Sequence, residues 1–309
     1  MTASVASNAP SATFEFASAG GVAITAYRWD PTGPPTGIAQ LTHGMGEHVR
    51  RYGDLAAALN DVGLVVYGQD HRGHGATAAS DDALGELGEN GWAELVADIG
   101  RLTDHICVEA GAELPLVLVG HSMGSFAVQQ YLVDHSDRVD AVALSGTAAI
   151  DLLASGLDLD QPIDLSAFNA PFEQRTGFEW LSRDPAQVDR YVADPRCGFG
   201  LDAGCGKAMF LASARPADPT EAAKIRSDLP LYIAVGTADP VNGALALVGP
   251  LVDRYQTAGL TDITLKTYPD ARHEIFNETN RNEVITDLLT WISRVLPTDR
   301  GPRGPDRAC

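Results

Sequence analysis

The sequence predicts an α/β protein with a mostly parallel central sheet and helices on both faces. Short apolar runs of strand length alternate with longer segments of helical periodicity, which is the order that parallel strands and their crossover helices require. A chain of 309 residues is long enough to bury a large core. Its composition, 45% hydrophobic and 20% charged residues, is that of an ordinary globular protein. Peptide-sized and disulfide-stapled architectures are therefore excluded.

Seven apolar runs have the length and the β-branched content of strands. They span residues 22–29, 37–42, 64–67, 116–119, 141–144, 231–235 and 263–268. The first run is followed by a Pro- and Gly-rich breaker at residues 30–35, where a strand must stop because proline has no backbone donor. We expect these runs to form one sheet.

Apolar residues at helical spacing separate several of these strands. The clearest stripe consists of Trp92, Leu95, Val96, Ile99, Leu102 and Ile106. These spacings place all six side chains on one face of a helix, and an α/β architecture needs such faces to cover its sheet. Less regular stripes predict four more helices, at 52–59, 126–133, 245–255 and 284–295.

The alternation stops once, between residues 150 and 228, where Asp, Pro, Gly and aromatic residues replace the apolar runs. A segment of this length is too long for a loop in a compact fold and should carry its own helices. We therefore predict a core formed by residues 1–149 and 229–298, with an inserted cap at 150–228. The tail at 299–309 is rich in Gly, Pro and charge and should be disordered.

The sharpest local signal is a Gly-x-Ser-x-Gly pattern, Gly120-His121-Ser122-Met123-Gly124, between a predicted strand and a predicted helix. A serine on such a tight turn needs small residues two positions to either side, because the turn brings the backbone close to its neighbours. The helix that follows directs its free N–H groups and its positive dipole end at the place where an oxyanion would form. Ser122 is therefore the predicted nucleophile.

A serine hydroxyl is a weak nucleophile, so it needs a base, and the base needs an orienting acid. In this architecture the chain order should be serine, acid, histidine. His273 follows the last predicted strand and is the predicted base, whereas His135 lies one helix length after Ser122 and is expected at the surface. Asp239, just after the preceding strand, is the predicted acid. Three other aspartates are less suitable, being in a helix, at the opposite sheet edge or too near the histidine: Asp253, Asp262 and Asp270.

An oxyanion hole requires a second backbone donor from a loop early in the sheet. Residues 43–48, His-Gly-Met-Gly-Glu-His, follow the strand at 37–42 and contain glycines that let the backbone come close. We expect the backbone N–H groups of Met45 and Met123 to be the donors. Four histidines in this loop and in the loop at 70–75 lack a metal-ligand spacing such as HExxH, so we expect no metal and interpret them as hydrogen-bonded loop residues: His43, His48, His71 and His74.

The net charge is −19, from 22 basic and 41 acidic residues. Such a charge repels phosphate backbones, so we expect no nucleic-acid partner. No run approaches the roughly 18 apolar residues that span a bilayer, so we expect no integral membrane association. Residues 1–11 lack the basic and apolar parts of a secretory signal. We therefore expect a cytoplasmic protein in which Cys197 and Cys205 stay reduced.

Several motifs together resemble one family. They are His43-Gly-Met-Gly-Glu-His48, Arg51-Tyr52, the run at 63–75, Gly120-His-Ser-Met-Gly124, Gly236-Thr-Ala-Asp239-Pro-Val and His273-Glu. Between residues 14 and 296, the sequence resembles the monoacylglycerol lipases and lysophospholipase-like esterases of the α/β-hydrolase fold. The resemblance implies a triad of Ser122, Asp239 and His273, an oxyanion hole at Met45 and Met123, a cap over an apolar acyl pocket, and no cofactor.

The expected function is hydrolysis of small to medium monoesters of monoacylglycerol type through an acyl-enzyme. Hydrolysis of monoalkyl phthalates or other aromatic-acid monoesters is an alternative, which needs a basic residue near the pocket to offset the negative charge of the chain. Six basic residues of the cap are candidates: Arg175, Arg183, Arg190, Arg196, Lys207 and Arg215. Two further alternatives share the fold, namely a ligand receptor without turnover and a peptidase that releases N-terminal residues. The small-molecule ester is the one expected partner, and the sequence leaves the oligomeric state open.

Overall fold

A computed structural model describes residues 8–111, 113–154 and 158–296. The tail at 299–309, for which the sequence predicts disorder, lies outside these residues. Within them, no helix combines the length and the apolar character needed to cross a membrane.

One eight-stranded sheet forms the centre of the protein. Its strands are β1 (Ala12–Ala17), β2 (Ala23–Trp29), β3 (Gly37–Thr42), β4 (Leu64–Gln69), β5 (Leu116–His121), β6 (Ala141–Ser145), β7 (Leu231–Gly236) and β8 (Ile263–Tyr268). The spatial order is β1-β2-β4-β3-β5-β6-β7-β8. β2 is antiparallel to β1 and β4, and all pairs from β4 to β8 are parallel. The predicted mostly parallel sheet is confirmed.

The strand β1 is one that the sequence analysis missed. Among the described residues it pairs with β2 alone, at the edge of the sheet, and its side chains alternate between half-buried and exposed. By contrast, every residue of β3 to β7 is buried, as parallel strands covered on both faces should be. An edge strand with one neighbour needs no continuous apolar run, so the pattern that revealed the other strands is absent from it.

Helices cover both faces of the sheet. They are α1 (Gly53–Asp61), α2 (Gly91–Ala110), α3 (Met123–His135), α4 (Ile150–Ala154), α5 (Pro185–Ala193), α6 (Ala203–Ala212), α7 (Ala214–Ala217), α8 (Pro219–Ala222), α9 (Val248–Thr257) and α10 (Arg281–Val295). The side chains of α1 and α10 pack on one face, and those of α2, α3 and α9 pack on the other. In the predicted stripe on α2, five of the six side chains are at most 2% exposed: Trp92, Leu95, Ile99, Leu102 and Ile106. Short 3₁₀ helices lie at Ala19–Gly21, Val49–Tyr52, Gly75–Thr77, Asp81–Ala83, Ser136–Arg138, Leu165–Asn169, Glu179–Leu181 and Ile275–Asn277.

Between β6 and β7, the described residues form helices and no strand. Two of these helices, α5 and α8, begin with an aspartate that accepts backbone N–H groups and a proline in the first turn. Both features favour a helix start, because they satisfy or remove donors that have no partner there. The described residues at 150–228 thus carry their own helices, and the separation of this segment from the core as a cap stays a prediction.

The loops that carry the predicted site residues all leave the carboxyl edge of the sheet. Met45 follows β3, Ser122 follows β5, Asp239 follows β7 and His273 follows β8. Because these strands are parallel, their carboxyl ends face the same side, where α/β sheets bind their ligands. The topology therefore brings four distant parts of the chain to one place.

Candidate active site

Ser122 stands at the sharp turn between β5 and α3. Its backbone has φ 50° and ψ −124°, which is costly for a residue with a side chain. A Cβ on Gly124 would lie 2.2 Å from the carbonyl oxygen of Thr42, and one on Gly120 would lie 2.8 Å from the Cα of Ser125. Both positions therefore require glycine, since the turn packs its backbone directly against neighbouring backbone.

His273 and Asp239 form a buried hydrogen-bonded pair. His273 Nδ1 and Asp239 Oδ2 are 2.9 Å apart, and the two side chains are 2% and 0% exposed. Asp239 also accepts the backbone N–H of Val241 at 2.9 Å and the side-chain amide of Asn242 at 3.3 Å. A carboxylate can only accept, so the proton of the neutral imidazole lies on Nδ1, and Nε2 keeps its lone pair. The structure thus joins the predicted base and the predicted acid.

The competing residues lie in other surroundings. Asp262 is paired with Arg294 at 2.8 Å, and Asp253 and Asp270 are exposed. His135, the other histidine downstream of the serine, is exposed at the last residue of α3. The order of strands favours Asp239 and His273, and these are the two side chains that the structure brings together. Their catalytic roles stay a prediction.

A second histidine, which the sequence analysis did not single out, packs against His273. The ring centres of His121 and His273 are 4.8 Å apart, and a Cβ on Gly146 would lie 2.7 Å and 2.9 Å from their Cε1 atoms. His121 Nδ1 lies 3.0 Å from the Ser145 hydroxyl oxygen. Burial, and then the charge of His273, lower the pKa of His121 well below 6.5. His121 therefore stays neutral when His273 is charged. In the sequence, only its position next to Ser122 indicated that it belongs to the site.

A buried ion triplet links the loops after β3 and β8. Arg51 donates to both carboxylate oxygens of Glu274, the residue after His273, and to Glu47 in the loop at 43–48. Although burial opposes it, these two carboxylates raise the pKa of Arg51 well above its ordinary value, so the guanidinium is charged. The ring of Tyr191 in α5 packs on this guanidinium at 4.7 Å. Glu47 and Arg51 are four positions apart, but Glu274 is 223 positions from Arg51, so no local spacing in the sequence predicted that the three would meet.

One cavity brings Ser122 and His273 together with Met45 and Met123, and its empty space is about 570 Å³. Most of the other lining side chains are apolar, and they come both from the core and from the segment at 150–228: Phe126, Leu153, Ile163, Leu165, Phe168, Trp180, Leu181, Met209, Phe210 and Val241. Trp180 also packs its ring 4.9 Å from that of His273, and its carbonyl accepts the His273 backbone N–H. No motif or spacing in the sequence predicted that Trp180 would contact His273.

The described residues that line this cavity include neither arginine nor lysine. The six candidate basic residues of the segment at 150–228 lie elsewhere. Arg175, Arg183, Lys207 and Arg215 pair with carboxylates. Arg190 and Arg196 line a separate polar groove, where Arg196 also lies 3.7 Å from Asp81. The cavity therefore has no free cation among its described lining residues.

The four loop histidines all make hydrogen bonds. His48 Nε2 lies 2.9 Å from Asp194, and His43, His71 and His74 are buried against one another. Burial lowers the pKa of His71 to about 3 and that of His74 to about 4, so both are neutral. These contacts match the interpretation of the four as hydrogen-bonded loop residues.

One group of described side chains has the composition of a metal site. Ligand atoms of His48, Asp194 and Cys197 lie within 4.8 Å of one another. Burial raises the pKa of the Cys197 thiol, and a metal needs the thiolate. In this structure His48 and Asp194 form a hydrogen-bonded pair at 2.9 Å beside the Cys197 thiol. Cys197 and Cys205 are both free thiols, as expected.

The fold and this site define an α/β hydrolase. A family model described as "Serine aminopeptidase, S33" matches residues 33–280. The monoacylglycerol lipase of Mycolicibacterium smegmatis is 34% identical over 284 residues, covering 90% of this chain and 95% of that protein. The monoglyceride lipase of Homo sapiens is 27% identical over 293 residues, covering 87% and 86%. The structure of a thermostable carboxyl esterase from Bacillus coagulans, in complex with glycerol, superposes with a TM-score of 0.82 at 26% identity, covering 92% and 98%.

The chain belongs to the serine aminopeptidase S33 family of α/β hydrolases, and it is a carboxylic ester hydrolase. The resemblance to monoacylglycerol lipases that its motifs indicate is confirmed by these relatives.

Proposed function

We propose that this protein hydrolyses neutral monoesters of monoacylglycerol type through a covalent acyl-enzyme on Ser122. The observation that carries the proposal is the buried Asp239–His273 hydrogen bond at the same apolar cavity as Ser122. The relatives named as monoacylglycerol lipases support the substrate class. In this proposal the segment at 150–228 is a cap, whose apolar side chains cover the acyl chain.

The reaction uses the residues in fixed roles. His273 Nε2 takes the proton from Ser122 Oγ as this oxygen attacks the ester carbonyl carbon, and the carbonyl electron pair moves onto its oxygen. The backbone N–H groups of Met45 and Met123 stabilise this oxyanion. The intermediate collapses and expels the alcohol, which takes the proton from His273. Water then attacks the acyl-enzyme in the same way, releasing the carboxylic acid and the free serine, while Asp239 orients the imidazole and stabilises its charged form.

The charges around the cavity favour a neutral substrate. Burying a carboxylate without a partner costs several kcal/mol. The guanidinium of Arg51 is already paired with Glu47 and Glu274, and these two carboxylates themselves line the cavity. A monoester of an aromatic diacid would therefore bring a third carboxylate to a cavity whose described lining residues include no free arginine or lysine.

We expect butyl benzoate to be hydrolysed with a kcat/KM at least about 100-fold higher than that of monobutyl phthalate, because the two differ by one unpaired carboxylate. Initial rates of butanol release measure both values, with 1-monobutyrylglycerol as the positive substrate. Monobutyl terephthalate carries its carboxylate para to the ester and not beside it. Its rate therefore shows whether slow hydrolysis comes from the charge or from steric crowding at the ester. Equal or faster hydrolysis of either acid monoester would contradict the neutral-substrate assignment.

The pH dependence of kcat/KM should follow the protonation of His273. Burial lowers its pKa, but the charge of Asp239 and their hydrogen bond outweigh burial and raise the pKa above 6.5. The base must be neutral, so kcat/KM should fall about tenfold per pH unit below this raised pKa and level off above it. Rates from pH 5 to 9 give the midpoint, and assays at pH 7.5 after acid incubation show whether the loss is reversible. A reversible acidic limb centred at or below pH 6.5 would refute this assignment.

A further inference from the structure

Gly44, the residue before Met45, is held at both of its polar backbone atoms. Its N–H donates to Glu47 Oε1 at 2.6 Å, and its carbonyl oxygen lies 2.8 Å from His43 Nδ1. Glu47 is 3% exposed and His43 is 0% exposed. Two buried side chains therefore hold one residue of the loop at 43–48.

The other ring nitrogen of His43 sets the direction of its bond to Gly44. His43 Nε2 lies 3.0 Å from the backbone nitrogen of His71, and a backbone N–H can only donate. Nε2 is therefore the acceptor, so the proton of the neutral ring is on Nδ1 and is donated to the Gly44 carbonyl. Burial, and then His71 and His74, lower the pKa of His43 well below its ordinary value, which keeps the ring neutral.

Holding the Gly44 carbonyl also sets the direction of the Met45 N–H. The carbonyl of one residue and the N–H of the next belong to one planar trans peptide and point in opposite directions. His43 binds one side of this peptide, so the Met45 N–H points to the other. A Cβ on Gly44 would lie 3.1 Å from the Ser122 Cβ, and Met45 lines the cavity. The loop is thus in contact with the proposed nucleophile.

We propose that His43 and Glu47 are positioning residues, which together orient the peptide between Gly44 and Met45 so that the Met45 N–H is aimed at the ester oxyanion. This inference rests on the proposed function, in which Met45 is an oxyanion donor. Glu47 is itself held in place: Oε1 accepts the Tyr52 hydroxyl at 2.6 Å, and Oε2 accepts Arg51. Both side chains act through the backbone of Gly44.

The test compares two esters with the same acyl group and different alcohols, p-nitrophenyl butyrate and 1-monobutyrylglycerol. His43→Ala and Glu47→Ala should each lower kcat by about 100-fold on both esters, with KM within about threefold, since a lost oxyanion donor costs about 10² to 10³ in kcat. In His43→Asn the side-chain amide nitrogen takes the place of Nδ1 and can donate to the Gly44 carbonyl. The kcat of this variant should therefore be at least about tenfold higher than that of His43→Ala. Active-site titration with a fluorophosphonate corrects each rate for the folded fraction.

His74→Asn is the matched control, because His74 is equally buried but its Nδ1 bonds the carbonyl of Arg72 at 2.8 Å and not that of Gly44. Its kcat should stay within about threefold of wild type. The inhibition constant of a trifluoromethyl ketone, which forms an oxyanion when Ser122 adds to it, should rise in proportion to the loss of kcat in the alanine variants.

Three results would overturn the inference. They are unchanged kcat and inhibition constant in the alanine variants, an equal loss in His74→Asn, and a rise of KM confined to 1-monobutyrylglycerol, which would assign Glu47 to alcohol binding. Failure of the proposed function would give a different result from failure of this inference. The wild-type protein would then show neither labelling at Ser122 nor turnover of either ester.

Discussion

Replacement of Ser122 by alanine is expected to lower kcat/KM for p-nitrophenyl butyrate by about four to six orders of magnitude. The reason is that the reaction loses the atom that forms the acyl-enzyme, and only the oxyanion donors and substrate binding remain to accelerate attack by water. Steady-state release of p-nitrophenol measures the effect. The melting temperature should stay close to that of the wild type, because the change removes one oxygen from a side chain that faces the cavity.

Two comparisons make the Ser122 result specific. Ser166→Ala removes an exposed hydroxyl from the segment at 150–228 and should leave turnover unchanged. A fluorophosphonate should label the wild-type protein once per chain and Ser122→Ala not at all. Near-wild-type turnover in Ser122→Ala would refute the nucleophile assignment. Labelling of the wild type without multiple turnover on any ester would instead support a ligand receptor on this fold.

The second large effect is expected for Asp239→Asn, at about 10⁴-fold in kcat. The asparagine oxygen can still accept the Val241 N–H, so its amide nitrogen would face His273 Nδ1. A donor at this place forces Nδ1 to accept and moves the imidazole proton to Nε2, where it blocks removal of the serine proton. The variant should fold, because asparagine keeps the shape of the side chain and replaces one carboxylate oxygen by an NH₂ group.

Asp270→Asn is the matched control for this residue, since Asp270 lies three residues before His273 but is exposed. Its kcat should equal that of the wild type. Equal melting temperatures for the two variants would show that the loss in Asp239→Asn is chemical. If Asp239→Asn keeps kcat within tenfold of wild type while Asp270→Asn loses it, the acid is Asp270.

Strand order and local sterics made much of the architecture predictable. The buried strands β3 to β7 have continuous apolar runs because both faces of the sheet are covered. The edge strand β1 has half-buried and exposed residues in alternation, so no apolar run predicted it. The glycines around Ser122 were predictable for a similar local reason, since the turn leaves no room for a Cβ on either side.

Contacts between distant segments were not predictable. Trp180 reaches His273 from a segment of irregular composition, and nothing in its neighbourhood in the sequence marks it as part of the site. The six candidate basic residues at 150–228 were equivalent as far as the sequence goes. The structure pairs five of them with carboxylates and places Arg190 and Arg196 at another groove. Where a long side chain points depends on the surface that its helix packs against, which a linear pattern does not contain.

The sequence by itself therefore determined the fold class and the turn at Ser122, and it predicts the chain order of serine, acid and histidine, because each follows from local sterics or from the alternation of strands and helices. Only the tertiary structure decided which other groups surround the site. Arg51 and Glu274 are separated by 223 positions and form one buried ion pair. The backbone of Gly44 is hydrogen-bonded to the side chains of His43 and Glu47. Buried polar groups must find partners wherever the packing places them, and those partners are set in three dimensions.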